Sequence, residues 1–387
     1  MDMPPDHTML LAEQVRVLRA TLLFAPTPDS WATCEQAWSQ AVALATETVR
    51  LPPSTPGRPA PDVNSDNATE IQRLYRRNRL RAVHLIMKGP TRSCTIPTRD
   101  IQDHWASTWS PRKADTSAPF RPAPLVPVSM ASFSTYEVLL RLRKSENTAP
   151  GPDRLSCQNW RSVVLEAHFL SAPFNACVHH HRNPDSWRTS RTVLIYKKGD
   201  PSVPGKWRPI ALGCTASKLY AKCIASRLQT WIMDHQVLSK CQKGFLPYDG
   251  VFELNYLFQH CMDAVKAYGM ELSTALLDFP NAYGSVPHKA LLEALQGSGA
   301  GETFAALIKD LYENNQTVIG CPLSGLLFNL VIDTVVRGVL GTGDDHNILA
   351  YADDLTPLAD CSALLQQRID MVEMPATPIA LSLNPSK

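Results

Sequence analysis

The sequence predicts an α+β fold in which helices cover an antiparallel sheet. Two apolar runs, Ile348–Tyr351 and Leu355–Ala359, flank the adjacent carboxylates Asp353 and Asp354 and predict two short strands joined by a tight acidic turn. A third strand is predicted by the run ALLD, which ends at Asp278. Three segments are predicted to form the covering helices. They are TASKLYAKCIASRLQTWI, His288–Leu295 and Pro322–Leu340.

The chain is long enough, at 387 residues, for two or three domains. Two Pro-rich stretches, LPPSTPGRPAPD and APFRPAPLVPVSM, are typical of linkers. We therefore predict a helical segment over residues 1–60, a basic helix followed by the second linker over residues 61–130, and a main domain over residues 131–387. The net charge is only +2, so any basic surface that binds nucleic acid must be local.

The composition argues against zinc-finger, secreted and membrane proteins. The ten cysteines include no Cys-x-x-Cys pair, and Cys177 with the histidines after it lacks a second ligand pair, so no structural zinc is expected. No basic region precedes an apolar run at the N-terminus, which argues against a signal peptide. The longest apolar candidate, LLFNLVIDTVV, is broken by Asp333, so no membrane partner is expected. These features predict an intracellular protein.

A basic helix is predicted over Ala68–Met87, where apolar residues form one stripe and the arginines lie largely off it. Arg73, Arg76 and Arg77 are candidates for contacts with nucleic-acid phosphates. A solvated face on a core-packed helix is the alternative interpretation. A nuclear-localisation patch is compatible with either.

The acidic turn carries the strongest chemical signal. Like charges as close as Asp353 and Asp354 repel each other, so a folded protein tolerates them best where a cation lies between them. Together with Asp278 at the end of another strand, they would complete a two-metal site for phosphoryl or nucleotidyl transfer. Because aspartate also favours solvent-facing turns, an ordinary surface turn is the alternative interpretation.

Seven sequence blocks follow one another over roughly Ser145–Lys387. They are APGPDRLSCQNW, WRTSRTVLIYKKGDP, WRPIALGCTASKLYAKCIASRL, CQKGF, ALLDFPNAYGSVPHKALLEAL, GCPLSGLLFNLVID and AYADDL. In this order they resemble the reverse transcriptase domain of non-LTR retrotransposons, especially the site-specific type. The resemblance implies a right-hand polymerase fold, with fingers over residues 131–265 and palm over residues 266–387. It also implies an RNA-directed DNA polymerase of nuclear location, with an RNA template, a DNA primer or target and dNTP as partners.

The resemblance assigns the chemistry to named residues. Asp278 and Asp353 would bridge two Mg²⁺ ions with Asp354 assisting, and Mn²⁺ could replace Mg²⁺. The ring of Tyr283, five residues past Asp278, would pack under the deoxyribose and exclude a 2′-hydroxyl. A core tyrosine is the alternative interpretation of Tyr283.

The resemblance also assigns roles to basic residues. Lys197 and Arg208 match the positions that contact the triphosphate, for which lysine and arginine are suited. Lys218 and Arg227, on the following helix, are expected to touch the template backbone or to face water.

Departures from the family pattern lead to a second hypothesis. Gly284 stands where an aspartate is usual, and Gly325 stands where a proline is usual. A hairpin expected before Gly320 is missing and Ile319 replaces a glutamine, while the chain ends at Lys387 before the expected helical thumb. Because these changes affect the positioning of substrates, the alternative is a catalytically impaired remnant that acts at most as an RNA-binding protein.

Overall fold

The computed structural model describes residues 5–49, 68–77, 94–108, 123–163, 168–313, 321–340 and 347–384. Helices dominate these residues and two small sheets accompany them, so the mixed helix-and-sheet class is as predicted. The helices are α1 (Pro5–Ala20), α2 (Pro28–Val49), α3 (Ala68–Arg77), α4 (Thr98–Thr108), α5 (Thr135–Lys144), α6 (Cys157–Val163), α7 (His168–His180), α8 (Thr215–Asp234), α9 (Gly250–Tyr268), α10 (Ala282–Ser285), α11 (His288–Gly297), α12 (Glu302–Tyr312), α13 (Ser324–Leu340) and α14 (Ser362–Ala376). The strands are β1 (Ser190–Tyr196), β2 (Trp207–Gly213), β3 (Ser273–Thr274), β4 (Ile348–Tyr351) and β5 (Asp354–Ala359).

The helices predicted from apolar spacing are confirmed as α8, α11 and α13. The predicted basic helix is present as α3, and its predicted continuation over residues 78–87 lies outside the described residues. None of the helices in the described ranges has both the length and the apolar character needed to cross a membrane.

The chain divides into two compact units. The smaller unit consists of Arg50–Ser107 and Thr192–Ile210, and it contains α3, most of α4, and the parts of β1 and β2 nearest the loop that connects them. The larger unit consists of Met1–Val49, Thr108–Arg191 and Ala211–Lys387. The domain boundaries near residues 60, 130 and 265 stay predictions.

Helix α13 is the centre of the larger unit. Its residues are buried almost without interruption, as expected of a helix that is apolar on every face. Helices α8, α11 and α14 and strand β4 pack against it. Its one acidic residue, Asp333, accepts hydrogen bonds from Ser239 through the backbone N (2.8 Å) and Oγ (2.5 Å), and from Arg337 Nε (2.6 Å). These partners satisfy a carboxylate that burial would otherwise destabilise.

The N-terminal helices belong to the larger unit through an aromatic cluster. Trp38 of α2 stacks on Trp160 of α6 with 6.0 Å between ring centroids, and it meets Trp187 edge-on at 5.6 Å. Aromatic pairs of this geometry contribute about 0.5–1.5 kcal/mol beyond their buried area. The helices of residues 5–49 therefore share a core with α6 and α7.

The three-stranded sheet has the order β3-β5-β4, and both strand pairs are antiparallel. The strand predicted to run into Asp278 is shorter than expected, since β3 ends at Thr274. Pro357 of β5 explains the interruption. Alternate residues of β5 turn their backbone groups towards β3, and a proline has no N–H to donate there. Pairing with β5 resumes at Leu277.

Candidate active site

The acidic turn connects β4 to β5. Tyr351 pairs with Asp354, so Ala352 and Asp353 alone form the loop of a two-residue hairpin, as predicted. Ala352 adopts the left-handed backbone conformation with φ of 57°. This conformation is unfavourable for any residue with a Cβ, so neighbouring groups must hold it.

The sheet register brings Asp278 to the acidic turn. Leu277 pairs with Leu355 through two backbone hydrogen bonds of 2.8 and 3.4 Å. The next position along each strand in this antiparallel register sets Asp278 opposite Asp354. Directly opposite residues of an antiparallel pair have Cβ atoms about 5 Å apart. Asp278 and Asp354 therefore lie on adjacent strands at one end of the sheet.

The charges of the neighbouring carboxylates act on Asp353. Burial raises the pKa of the Asp353 carboxyl, and the charges of Asp354 and Asp278 raise it further, against the lowering effect of its own backbone N–H. Each carboxylate thus disfavours the ionised form of Asp353. A cation between them would remove this repulsion, and carboxylate oxygens are the ligands that Mg²⁺ prefers.

The donor set fits a divalent cation in chemistry, and its arrangement is not that of a ready-made cage. Within the ranges that the structure describes, no group of three or more His, Cys, Asp or Glu side chains is arranged so that it could hold a metal ion. One carboxylate oxygen of Asp278 accepts a hydrogen bond from Asn384 Nδ2 at 3.3 Å, and the Asp278 carbonyl accepts one from Asn384 N at 3.0 Å. A cation would therefore have to draw the carboxylates together.

Tyr283 lies beside the acidic turn. Burial raises its pKa, and the charges of Asp353, Asp354 and Tyr351 raise it further, so its hydroxyl stays protonated at neutral pH. Its ring packs on Phe328 with 4.4 Å between centroids, and it is 41% exposed. That this half-exposed ring selects the sugar of an incoming nucleotide stays a prediction.

A second aromatic ring extends this surface. Phe245 meets Tyr283 edge-on with 6.1 Å between centroids. The Phe245 ring lies directly over Gly325, where an added Cβ would stand 2.6 Å from the ring atom Cγ. The glycine found where the family has proline therefore provides the space that Phe245 occupies.

Gln242 is a residue of the site that the sequence interpretation missed. Its side chain is fully buried and contacts the backbone of Ala352 in the acidic turn. Gln242 and Ala352 are 110 positions apart, so sequence spacing could not connect them. The only signal in the sequence was the block CQKGF, to which no role was assigned.

The predicted triphosphate contacts lie in the smaller unit. Lys197 follows β1 and Arg208 lies in β2, and both residues are exposed. Desolvation lowers the pKa of Lys197, and the positive charges of Arg208 and Lys206 lower it further. The two predicted residues are therefore close to each other, as a pair that shares an anion would be. That they face the acidic turn stays a prediction.

Two residues predicted to contact the template are engaged within the protein instead. Arg227 is bound to Glu137 by Nε (3.0 Å) and Nη2 (2.9 Å), and its guanidinium lies 3.9 Å from the centroid of the Phe133 ring. Its side chain is only 14% exposed. Lys218 is half-buried, and its Nζ donates to the Ala149 carbonyl at 2.9 Å. Neither side chain is therefore part of the proposed nucleic-acid surface.

The remaining predicted positions are partly described. Arg73 and Arg76 are exposed on α3, while the side chain of Arg77 lies outside the described residues. Ile319, Gly320 and Lys387, on which the predicted deletion and early end depend, also lie outside them.

Residues 195–387 match the family model described as reverse transcriptase (RNA-dependent DNA polymerase). The chain is 25% identical over 342 residues to a retrovirus-related Pol polyprotein from type-1 retrotransposable element R2 of Nasonia vitripennis. The aligned region covers 82% of this chain and 33% of that protein. It is 24% identical over 366 residues to the corresponding polyprotein from type-2 retrotransposable element R2DM of Drosophila melanogaster, over 88% of this chain and 34% of that protein. The chain thus spans about a third of the length of these relatives.

Among solved structures, the telomerase of Candida albicans in complex with a fragment of telomeric RNA is similar over 97% of this chain and 72% of that chain. The TM-score is 0.40 and the sequence identity is 8%.

Proposed function

Because the chain belongs, through residues 195–387, to the reverse transcriptases of non-LTR retrotransposons, we propose that it catalyses RNA-directed DNA synthesis. The observation that carries the proposal is the register of Leu277 with Leu355, which brings Asp278 to the strand beside the acidic turn. In this assignment the acidic turn and the segment that carries Asp278 belong to the palm of a right-hand polymerase, and residues 131–265 form the fingers.

Asp278, Asp353 and Asp354 are the proposed ligands of two Mg²⁺ ions, which Mn²⁺ could replace. Such ions, when bound, supply the positive charge that activates a primer 3′-hydroxyl and stabilises the leaving pyrophosphate. The protein's part is to hold the carboxylates of the acidic turn, Asp353 and Asp354, beside that of Asp278 on the paired segment, where their mutual repulsion favours a bound cation. Because each of the three carboxylates is a proposed ligand, loss of any one of them is expected to impair cation binding.

Lys197 and Arg208 are the proposed contacts of the triphosphate of an incoming dNTP. Their proximity within the smaller unit supports this role, because two positive charges at short range favour a polyanion between them. Charge reversal in Arg208→Glu is expected to weaken nucleotide binding while RNA binding is retained. Arg99→Glu is the matched control, since Arg99 lies in the same unit with a side chain that is 90% exposed. Equal nucleotide affinity in both variants would remove Arg208 from the site.

Tyr283 is the proposed selector against ribonucleotides. Its half-exposed ring beside the carboxylates supports this role. An RNA template and a DNA primer or target are the proposed nucleic-acid partners, with exposed Arg73 and Arg76 of α3, and Arg77 beside them in the sequence, as candidate phosphate contacts. Action on genomic DNA would require nuclear location.

A second candidate function is RNA binding without polymerisation. It is favoured by the hydrogen bond that Asn384 Nδ2 donates to the Asp278 carboxylate, because this bond occupies an oxygen that a cation would need. In this case the protein would keep its fold, but the three carboxylates would not bind a cation.

Primer extension on an RNA template with Mg²⁺ separates the two candidates. The chain is expected to add dNTPs, and Asp353→Asn is expected to reduce incorporation by at least about 100-fold, since catalysis depends on positioning at the metal site. Asp360→Asn is the matched control, because Asp360 is exposed just beyond β5. Retention of RNA in a gel-shift assay with no incorporation by the unaltered chain would support the second candidate.

A further inference from the structure

The side chain of Gln242 uses both ends of its amide on the acidic turn. Its Oε1 accepts hydrogen bonds from the backbone N of Ala352 (2.7 Å) and of Gly244 (2.9 Å), and its Nε2 donates to the Ala352 carbonyl (3.2 Å). Gln242 itself is 0% exposed. Both backbone groups of Ala352 are therefore bound by one buried side chain.

Ala352 is the residue of the turn that most needs support. With φ of 57° it lies in the left-handed region, where an L-alanine is disfavoured by about 1–2 kcal/mol. It also immediately precedes Asp353 and Asp354. Any change in the backbone of Ala352 would therefore reorient both carboxylates.

The segment that carries Gln242 is fixed on both sides. Towards β4, Lys243 N donates to the Ala350 carbonyl at 2.9 Å and Ala350 N donates to the Cys241 carbonyl at 3.1 Å. Towards α13, Asn329 Nδ2 donates to the Gly244 carbonyl at 2.6 Å. Gly244 allows the close approach, since a Cβ there would stand 2.5 Å from Ala352 N. Gln242 is thus a rigid support rather than a mobile side chain.

We propose that Gln242 is a positioning residue that holds the Ala352 turn in its left-handed form and thereby aims Asp353 and Asp354 at a shared cation. The inference rests on the proposed function for the identity of that cation site. An amide is required because one end must accept from two N–H groups while the other donates to a carbonyl. A carboxylate could not donate, and an apolar side chain could do neither.

Terbium luminescence tests the inference without requiring polymerase activity. Tb³⁺ prefers oxygen ligands as Mg²⁺ and Ca²⁺ do, and nearby Tyr351 and Tyr283 can sensitise its emission. Gln242→Met preserves the length and apolar packing of the side chain but removes its hydrogen bonds. We expect Tb³⁺ affinity to fall by on the order of 10-fold in this variant. The matched control Gln366→Met removes an exposed glutamine whose Nε2 donates to Asp370 Oδ1 at 2.8 Å, and the Tb³⁺ affinity of this variant should be unchanged.

A rescue variant separates positioning from a general loss of structure. Glycine adopts the left-handed conformation without penalty, so Ala352→Gly should recover roughly fivefold of the affinity lost in Gln242→Met. The same change in the unaltered protein should shift affinity by less than about twofold, because Gln242 already holds the turn. If Ala352→Gly gives no recovery in the Gln242→Met background, the positioning role is overturned.

Hydrogen exchange supplies a readout in the unaltered protein, which covers the case in which Gln242→Met fails to fold. The Ala352 amide, although in a turn, should exchange as slowly as the amides of β4 because it is bonded to a buried acceptor. Rapid exchange at Ala352 would overturn the inference. If Asp353→Asn left Tb³⁺ binding unchanged while Ala352 stayed protected, the metal assignment of the proposed function would fail and the support of the turn by Gln242 would stand.

Discussion

Replacing Gly325 with alanine is predicted to destabilise the larger unit because Phe245 lies over its Cα. The new Cβ would stand 2.6 Å from Cγ of the Phe245 ring, whereas carbon atoms pack at about 3.5–4.0 Å, so the ring must move by roughly 1 Å. Overpacking of this kind costs about 1–3 kcal/mol. Since Phe245 is 47% exposed and can swing towards solvent, we expect the lower end of that range.

Two further terms set the net effect. Movement of the ring would lose the edge-on contact with Tyr283, worth roughly 0.5–1.5 kcal/mol. Against this, alanine is favoured over glycine within a helix by about 0.8–1.0 kcal/mol, and Gly325 lies in the first turn of α13. The predicted net destabilisation of Gly325→Ala is about 1 kcal/mol.

The assay is urea denaturation of four proteins that form a double-mutant cycle. In the background of Phe245→Ala the clash is absent, so Gly325→Ala should become stabilising by about 0.8–1.0 kcal/mol, the helical gain alone. Phe252→Ala is the control background, because Phe252 lies 70% exposed on α9 and should leave the penalty intact. An equal destabilisation by Gly325→Ala in the Phe245→Ala background would refute the reasoning.

Two further predictions concern charges. Asp353→Asn should raise the melting temperature at pH 8, because burial and two neighbouring carboxylates raise the pKa of Asp353 and so disfavour its ionised form. The gain in melting temperature should shrink as the pH falls through that pKa, because the wild-type carboxyl then becomes neutral. A gain in melting temperature that grows towards low pH would contradict the predicted upward shift of the Asp353 pKa. Arg227→Ala should destabilise the protein by about 2–4 kcal/mol, since it leaves Glu137 partly buried and unpaired, while exposed Arg143→Ala should stay within about 0.5 kcal/mol. A loss of RNA affinity with no loss of stability would return Arg227 to the nucleic-acid surface.

Local patterns in the sequence were sufficient to predict the elements that surround the site. The hairpin of β4 and β5 follows from two apolar runs around an acidic pair, and α13 follows from an apolar segment of helical length. These features depend on neighbours within a few residues, which a single sequence displays directly. The interruption of β3 was also encoded, by Pro357 within the predicted partner strand, but only the strand pairing reveals its effect.

Tertiary contacts decided what sequence patterns could not. Arg227 appeared to be an exposed cation on an amphipathic helix, yet its partner Glu137 lies 90 positions earlier. Gln242 and Ala352 are separated by 110 positions in the sequence, and nothing in the local composition indicates that Gln242 binds the turn. Interactions between remote segments are set by the packing of the whole unit. A helix or strand pattern therefore cannot predict which side chains take part in them.

The central claim, that Asp278 and the acidic turn share cations, is tested most directly by localised cleavage of the protein chain. Fe²⁺ substituted for Mg²⁺ generates hydroxyl radicals in the presence of ascorbate and peroxide, and these cut the backbone close to the bound ion. The account predicts cleavage at two separate stretches, near Asp278 and near Asp353, which excess Mg²⁺ suppresses and Asp353→Asn abolishes. Cleavage at the acidic turn alone, with none near Asp278, would contradict it.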